Sequence, residues 1–388
     1  MKRCVLLLAV LATACREAPE RFVAPDPFDS IATGELGRLT WNEFEDHSPI
    51  WNATSDSVYY SARSYPGFPA TGGLLLAIPR ATGRAKLMLQ SLQQAVQPQP
   101  WLAAPALSPS KDRIAFVELT EVDDPGELCN AGIACAIPAI GGPDTSAANA
   151  LLISGKLRVR ALNGGSSETS IPIAFAGNGG STSSDRIAHP FQRQYERDGA
   201  EIFRPSWSPD GNRVVFSDGL RLYVWTVGAP SAVAIPNTDD GVWPAWSPTG
   251  DVIAFTKLLR SGSHSVTCAC NRQDRPLPVA LYNRVIYHDG NARVGTLMTI
   301  KPDGTDLRNL GAGESPAWTP NGQSLVFNRN GQLYRSAPDG TGATPIPNTQ
   351  FGHEPAISPD GRWLTFSRDQ NLEGSAYSKP YDIWVVNF

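Results

Sequence analysis

PSWSPDGNRVVFSDG, residues 205–219, sets a short apolar segment, a Ser-Pro-Asp-Gly turn and a second apolar segment ending in phenylalanine one after another. Proline presets φ at such a turn, and Asp-Gly or Asn-Gly accepts the positive φ of a tight hairpin. The phrase returns five times. Aligned on the opening proline, Pro49 begins PIWNATSDSVYYSA, Pro105 PALSPSKDRIAFVE, Pro244 PAWSPTGDVIAFTK, Pro316 PAWTPNGQSLVFNR and Pro355 PAISPDGRWLTFSR. The spacings are 56, 100, 39, 72 and 39 residues, so a period near 40 carries insertions at the longer steps.

A period of that length with tryptophan and turn signals marks propeller blades. A third strand follows in several units: LYVWTV (222–227), TLMTI (296–300), QLYRS (332–336) and DIWVVNF (382–388). A short fourth is readable in DLRNL (306–310) and ATPIP (343–347). Four antiparallel strands make one blade, which buries both faces only by packing on its neighbours. The motif's Trp or Leu is the expected wedge between blades. The last unit ends on a third strand, while GRLTWN (37–42) ahead of the first motif reads as a fourth strand. The fold class expected is therefore all-β: a six-bladed β-propeller whose N-terminal strand completes the last blade. The alternative is seven blades. The 100-residue step would then hide a degenerate blade around KLRVRAL (156–162) and SIPIAF (170–175).

Composition agrees with a globular chain: of 388 residues, 41% are hydrophobic and 18% charged. The net charge of −4 argues against nucleic acid or an anionic membrane as main partner, since either calls for a basic patch. At the N-terminus, Lys2 and Arg3 precede an apolar run at 5–12 that is too short to span a bilayer. LATAC (11–15) then resembles a bacterial lipobox, with Cys15 as the lipidated first residue and cleavage after Ala14. A plain secretory signal cuts at the same place. Arg16 in the second mature position points, by resemblance to enterobacterial sorting, to the outer membrane. The domain reading is a signal peptide at 1–14, lipidated Cys15 and a linker to 36, and one propeller over 37–388.

Cys129, Cys135, Cys268 and Cys270 remain, an even number for an oxidising compartment. Cys129–Cys135 is the preferred local pair. A Cys268–Cys270 bond closes a strained ring, so cross-pairing of the two loops stays open. Zinc is a third option, against which the spacing of CNAGIAC and CAC speaks.

PAWSPDG-type motifs are similar to the PD40, or WD40-like, propeller repeats of the TolB-related family, and the resemblance covers about residues 37–388. It implies the fold far more than an activity, because the repeat serves scaffolds, peptidase gating domains, lyases and sensors alike. TolB carries an additional α/β domain before its propeller, where this chain has only residues 16–35. A hydrolase domain of the prolyl-oligopeptidase kind is not expected from this sequence, whose last readable unit is the propeller.

The insertions fall at 61–73, 118–149, 258–295 and 368–380, between second and third strands, and at 177–203, between a fourth strand and the next first. In antiparallel blades all of these leave on one face, opposite the Ser-Pro-Asp-Gly turns. Long loops on a rigid ring are where recognition residues gather. Tyr65, Arg193, Tyr195, Arg197 and Tyr377 are the candidates for a protein or glycan contact. Residues ahead of each motif proline are expected to ring the channel mouth on that face: Glu45, Asp46, His47, Trp101, Glu201, Asp240, Glu314, His353 and Glu354. Carboxylates with His47 and His353 suit a divalent cation, and that is the one cofactor entertained. No catalytic motif of the G-x-S-x-G, H-E-x-x-H or Walker kind occurs. The leading expectation is a non-enzymatic envelope lipoprotein that binds an envelope protein or surface glycan. The alternative is a metal-dependent polysaccharide lyase or hydrolase, of the oligogalacturonate type, acting at the channel mouth.

Overall fold

The computed structural model describes residues 31–40, 45–63, 74–79, 86–90, 101–123, 135–136, 150–162, 168–178, 204–218, 221–258, 260–264, 267–268, 285–288, 295–369 and 381–388. Within these, β1 (Leu36–Arg38) precedes the first blade. Blade 1 is β2 (Glu45–Trp51), β3 (Ser57–Arg63), β4 (Leu74–Pro79) and β5 (Lys86–Gln90). Blade 2 runs β6 (Trp101–Leu107), β7 (Arg113–Asp123) and, after the short β8 (Cys135–Ala136) in its insertion, β9 (Ala150–Ala161) and β10 (Glu168–Asn178). Blade 3 is β11 (Ser206–Trp207), β12 (Arg213–Ser217), β13 (Leu222–Thr226) and β14 (Val233–Ala234). Blade 4 starts with β15 (Gly241–Trp246) and β16 (Ile253–Lys257). Its insertion holds β17 (Arg260–His264), β18 (Thr267–Cys268) and β19 (Val285–His288), and β20 (Thr296–Ile300) and β21 (Arg308–Ala312) finish it. Blade 5 is β22 (Glu314–Trp318), β23 (Leu325–Arg329), β24 (Gln332–Ser336) and β25 (Thr344–Gln350). Blade 6 is β26 (Gly352–Ile357), β27 (Trp363–Asp369) and β28 (Tyr381–Asn387).

Each blade is a four-stranded antiparallel sheet, and blade 6 takes β1 as its fourth strand, in the order β1-β28-β27-β26. Leu36 faces Val386 and Arg38 faces Trp384 in that pairing. The closing strand is thus as expected but lies a little ahead of 37–42. Beyond it Leu39 N–H still reaches the Ile383 carbonyl at 2.8 Å. The first strands touch in the closed cycle β2, β6, β11, β15, β22, β26 and back to β2, which makes them the inner wall of a six-membered ring. Seven blades are excluded: the strands at 156–162 and 170–175 are the third and fourth of blade 2.

The motif residues do what their chemistry suggests. In the turn after β11, Gly211 N–H meets the Ser208 carbonyl at 2.9 Å with Gly211 at φ +68°. Ser208 Oγ accepts the Arg213 N–H, and Asp210 accepts the Asn212 N–H. Ser358 and Asp360 repeat the arrangement in blade 6. The tryptophan is the wedge, and its indole N–H is a link as well. Trp207 donates to the Ala106 carbonyl of the preceding blade at 3.0 Å, and Trp318 to Ala245 at 3.0 Å. Trp51 donates to Ala356 at 3.3 Å across the seam where blade 1 meets blade 6. The apolar clusters straddle these boundaries. Trp207, Val214 and Trp225 of blade 3 pack with Val117, Leu157 and Val159 of blade 2. At the seam, Val58 and Tyr60 pack with Trp363, Ile383 and Val385.

Candidate functional site

The inner strands share an irregularity that the repeat alone does not announce. The pairing with the second strand slips between His47 and Ile50, Ala103 and Ala106, Val242 and Ala245, Glu314 and Ala317, and His353 and Ala356. At each slip the residue just before the motif proline has a left-handed backbone: Ser48 (φ 52°), Ala104 (51°), Trp243 (50°), Ser315 (49°) and Glu354 (54°). Such a φ costs a side-chain-bearing residue about 1–2 kcal/mol, so five of them need support. In five blades a polar residue directly follows the aromatic of the second strand and bonds to the inner strands near these positions; in blade 2, beside Ala104, Val117 stands there instead. Ser61 Oγ donates to the His47 carbonyl, Ser217 Oγ to Gly241 and Asn328 Nδ2 to Gly352. Thr256 Oγ1 accepts the Ser315 N–H at 3.0 Å, and Ser367 Oγ donates to the Glu354 carboxylate at 2.6 Å. All five are buried. Four of these bonds satisfy backbone groups that the slips would otherwise leave buried and unpaired. Blade 3 differs. Its residue before the proline is Arg204, whose Nη2 reaches the Pro355 carbonyl of blade 6, opposite on the ring, at 3.3 Å. The guanidinium therefore crosses the channel.

Against this frame the channel-mouth candidates separate. His47 and Glu354 do meet, across the seam: Nδ1 lies 3.5 Å from Oε2, and both side chains are buried. Glu354 also accepts the Ser48 N–H at 2.9 Å. Burial pushes the Glu354 carboxyl up, but His47 and the hydrogen bonds from Ser367 and Ser48 prevail and hold it at about 2. The Tyr381 ring packs on His47 with centroids 4.8 Å apart, and His353 meets the same ring edge-on at 6.2 Å. Glu314 accepts the Gly295 N–H at 2.8 Å and so ties blade 5 to blade 4. Asp46 and Asp240 are buried. Glu45 and Trp101 begin the inner strands β2 and β6. Among the described residues no group of three His, Cys, Asp or Glu could hold a metal ion. Glu201, Cys15, Tyr65, Arg193, Tyr195, Arg197 and Tyr377 lie outside the described residues, as do Cys129 and Cys270. Cys135 and Cys268 fall in β8 and β18, which pair with each other.

Next to the seam a second carboxylate is buried. Arg38 Nη2 of β1 lies 2.6 Å from Asp382 Oδ2, and Thr40 Oγ1 donates to Asp382 at 3.3 Å. Burial pushes the Asp382 carboxyl up to about 7, against the pull of Arg38 and Thr40. Asp46 and Asp382 together, added to burial, push the Tyr60 hydroxyl up as well.

The strand ends joined by 64–73, 124–149, 259–294 and 370–380 all lie on one face of the ring, as do those joined by 179–203. The chain is thus a six-bladed propeller closed by its N-terminal strand, with its long connections gathered on one face. Its fold is similar to that of TolB from Acinetobacter baumannii, at 14% identity over 82% of this chain with a TM-score of 0.45; the match spans 58% of that chain. It is also similar to an oligogalacturonate lyase solved with manganese (11% identity, 92% of this chain, 94% of the other, TM-score 0.44). A gluconolactonase from Xanthomonas campestris is similar as well (12%, 90%, 88%, 0.44). No protein-family model and no curated protein matches the sequence.

Proposed function

We propose that this chain is a lipid-anchored envelope protein in which the propeller is a rigid scaffold and the insertion-bearing face binds a partner. The observation that carries this reading is the segregation of the connections. Among the described residues one face holds close turns such as 208–211 and 301–304, while the strand ends that meet the long connections lie on the other. A rigid ring presenting several chain-distant segments on one side is suited to recognition of a surface. The rim chemistry favours binding over catalysis. Glu314 and Glu354, the acids on which a metal-dependent lyase would draw, hold the framework together. The partner class is an envelope protein or a surface glycan, and anchoring through Cys15 would hold the ring beside it, on the outer membrane by the Arg16 signal.

The test has two parts. Cys15→Ala is expected to abolish labelling by a palmitate analogue and to release the protein from the membrane fraction. Replacing 64–73 and 371–380 with short Gly-Ser turns is expected to leave the unfolding midpoint nearly unchanged. The same replacement removes the partner that a cell-permeable crosslinker captures with wild type. A protein soluble with Cys15 intact, or capture that survives the replacements, overturns the corresponding part.

A further inference from the structure

The insertions of blades 2 and 4 meet. β8 pairs antiparallel with β18, setting Thr267 opposite Ala136 and Cys268 opposite Cys135. A second contact joins the same two blades: β10, the long outer strand of blade 2, lies against β19 of the blade 4 insertion. Blade 3, between them, connects its own second and third strands through residues 218–221 alone. The two insertions thus form an arch that joins blade 2 to blade 4, the blades on either side of blade 3.

We propose that a disulfide between Cys135 and Cys268 fastens this arch. Directly opposed residues of an antiparallel pair have Cα atoms about 4.5–5.5 Å apart. That separation lies within the roughly 4.4–6.8 Å that a disulfide spans. The register is the argument, since a slip of one residue would set Cys135 against a different partner. The alternative, Cys129 with Cys135, leaves Cys268 only the strained bond to Cys270. Formation needs a disulfide oxidant, here oxidised glutathione. One cysteine thiolate attacks it and expels a glutathione thiolate, and the second attacks the mixed disulfide and expels the other. Two electrons and two protons pass to two glutathione thiols. The bond's presence in the cell rests on the export proposed above, but the pairing does not. The arch joins the two largest insertions of the proposed binding face, so the bond would preorganise that face.

The full chain purified in a glutathione redox buffer, alkylated and digested with trypsin, tests the pairing. Residues 114–156 and 261–272 each form one tryptic peptide holding two of the four cysteines. The expected product is these two peptides joined, two hydrogens lighter than their sum for each bond and separating on reduction. The variant C129S with C270S keeps only Cys135 and Cys268 of the four, and the joined pair must persist in it. Joined peptides in wild type that vanish in this variant overturn the proposal. So does a wild-type peptide 114–156 bearing an internal bond, or stoichiometric zinc with four reduced thiols. Protein taken directly from cells in the reduced state, while the link forms in the buffer, counts against export and leaves the pairing standing.

Discussion

Glu354 occupies a left-handed backbone position before Pro355, is buried, and takes three contacts with its carboxylate: His47, the Ser48 N–H and the Ser367 hydroxyl. Breaking a buried pair of this kind costs on the order of 3 kcal/mol. Glu354→Gln is expected to lower the urea midpoint at neutral pH by a corresponding amount. The folded carboxyl, at about 2, lies below its ordinary 4.5. Its contribution is therefore present above about 4.5 and is lost as pH falls toward 2. The gap between wild type and variant should close over that window, and a gap independent of pH contradicts the assignment. Trp318→Phe forfeits an indole hydrogen bond to Ala245, worth about 1 kcal/mol, whereas the Trp246 indole N–H has no such partner. Unfolding should show Trp318→Phe as costlier than Trp246→Phe. Turn and wedge residues were legible because their identity is their function: only a few residues suit a tight turn, and only an indole both fills and donates. The left-handed positions were not. Ser48, Ala104, Trp243, Ser315 and Glu354 share a backbone angle and no chemistry. Their one trace is the small polar residue after the aromatic on the next strand, and for Ala104 even that is missing, since Val117 follows Phe116.

β1 supplies the missing edge of blade 6, and its Arg38 reaches the buried Asp382 of β28. A chain beginning at residue 39 exposes β28 as an unpaired edge, which templates association. Size-exclusion chromatography should show it as oligomer or aggregate where the longer chain is discrete. Asp382 adds a pH signature opposite to that of Glu354. Its folded value, about 7, lies above the ordinary 3.8. The stability it contributes is fully present below 3.8 and is lost as pH rises through 7. Wild type should weaken between about pH 4 and pH 7 by this group's share, and Asp382→Asn should remove that slope. An unchanged slope would place the titration elsewhere. The closing strand itself was readable, since a three-strand last blade demands a fourth. Its bounds were not, because Leu39 and Thr40 continue the hydrogen bonding of β1 outside the regular pairing.

As a whole, the molecule separates its long connections from its close turns by face. The ring was legible to the number of blades because six copies of one motif cannot each bury their sheets alone. The channel rim was legible only in part. His47 and Glu354, both read as channel-mouth residues, meet as framework across the seam, with no metal cluster among the described residues. Sequence spacing says which residues lie near the channel and leaves open what each side chain is used for. It was also silent on Arg204, which reaches across the axis, because nothing local distinguishes an arginine before a proline. The most direct measurement is in-cell photo-crosslinking from single positions on each face. Probes at Tyr65, Tyr195 and Tyr377 sample the insertion face; probes at Lys301, Asp339 and Asp210 sample the turn face. The account predicts adducts of discrete mass from the first set and none from the second. Adducts from the turn face, or from both faces alike, would contradict it.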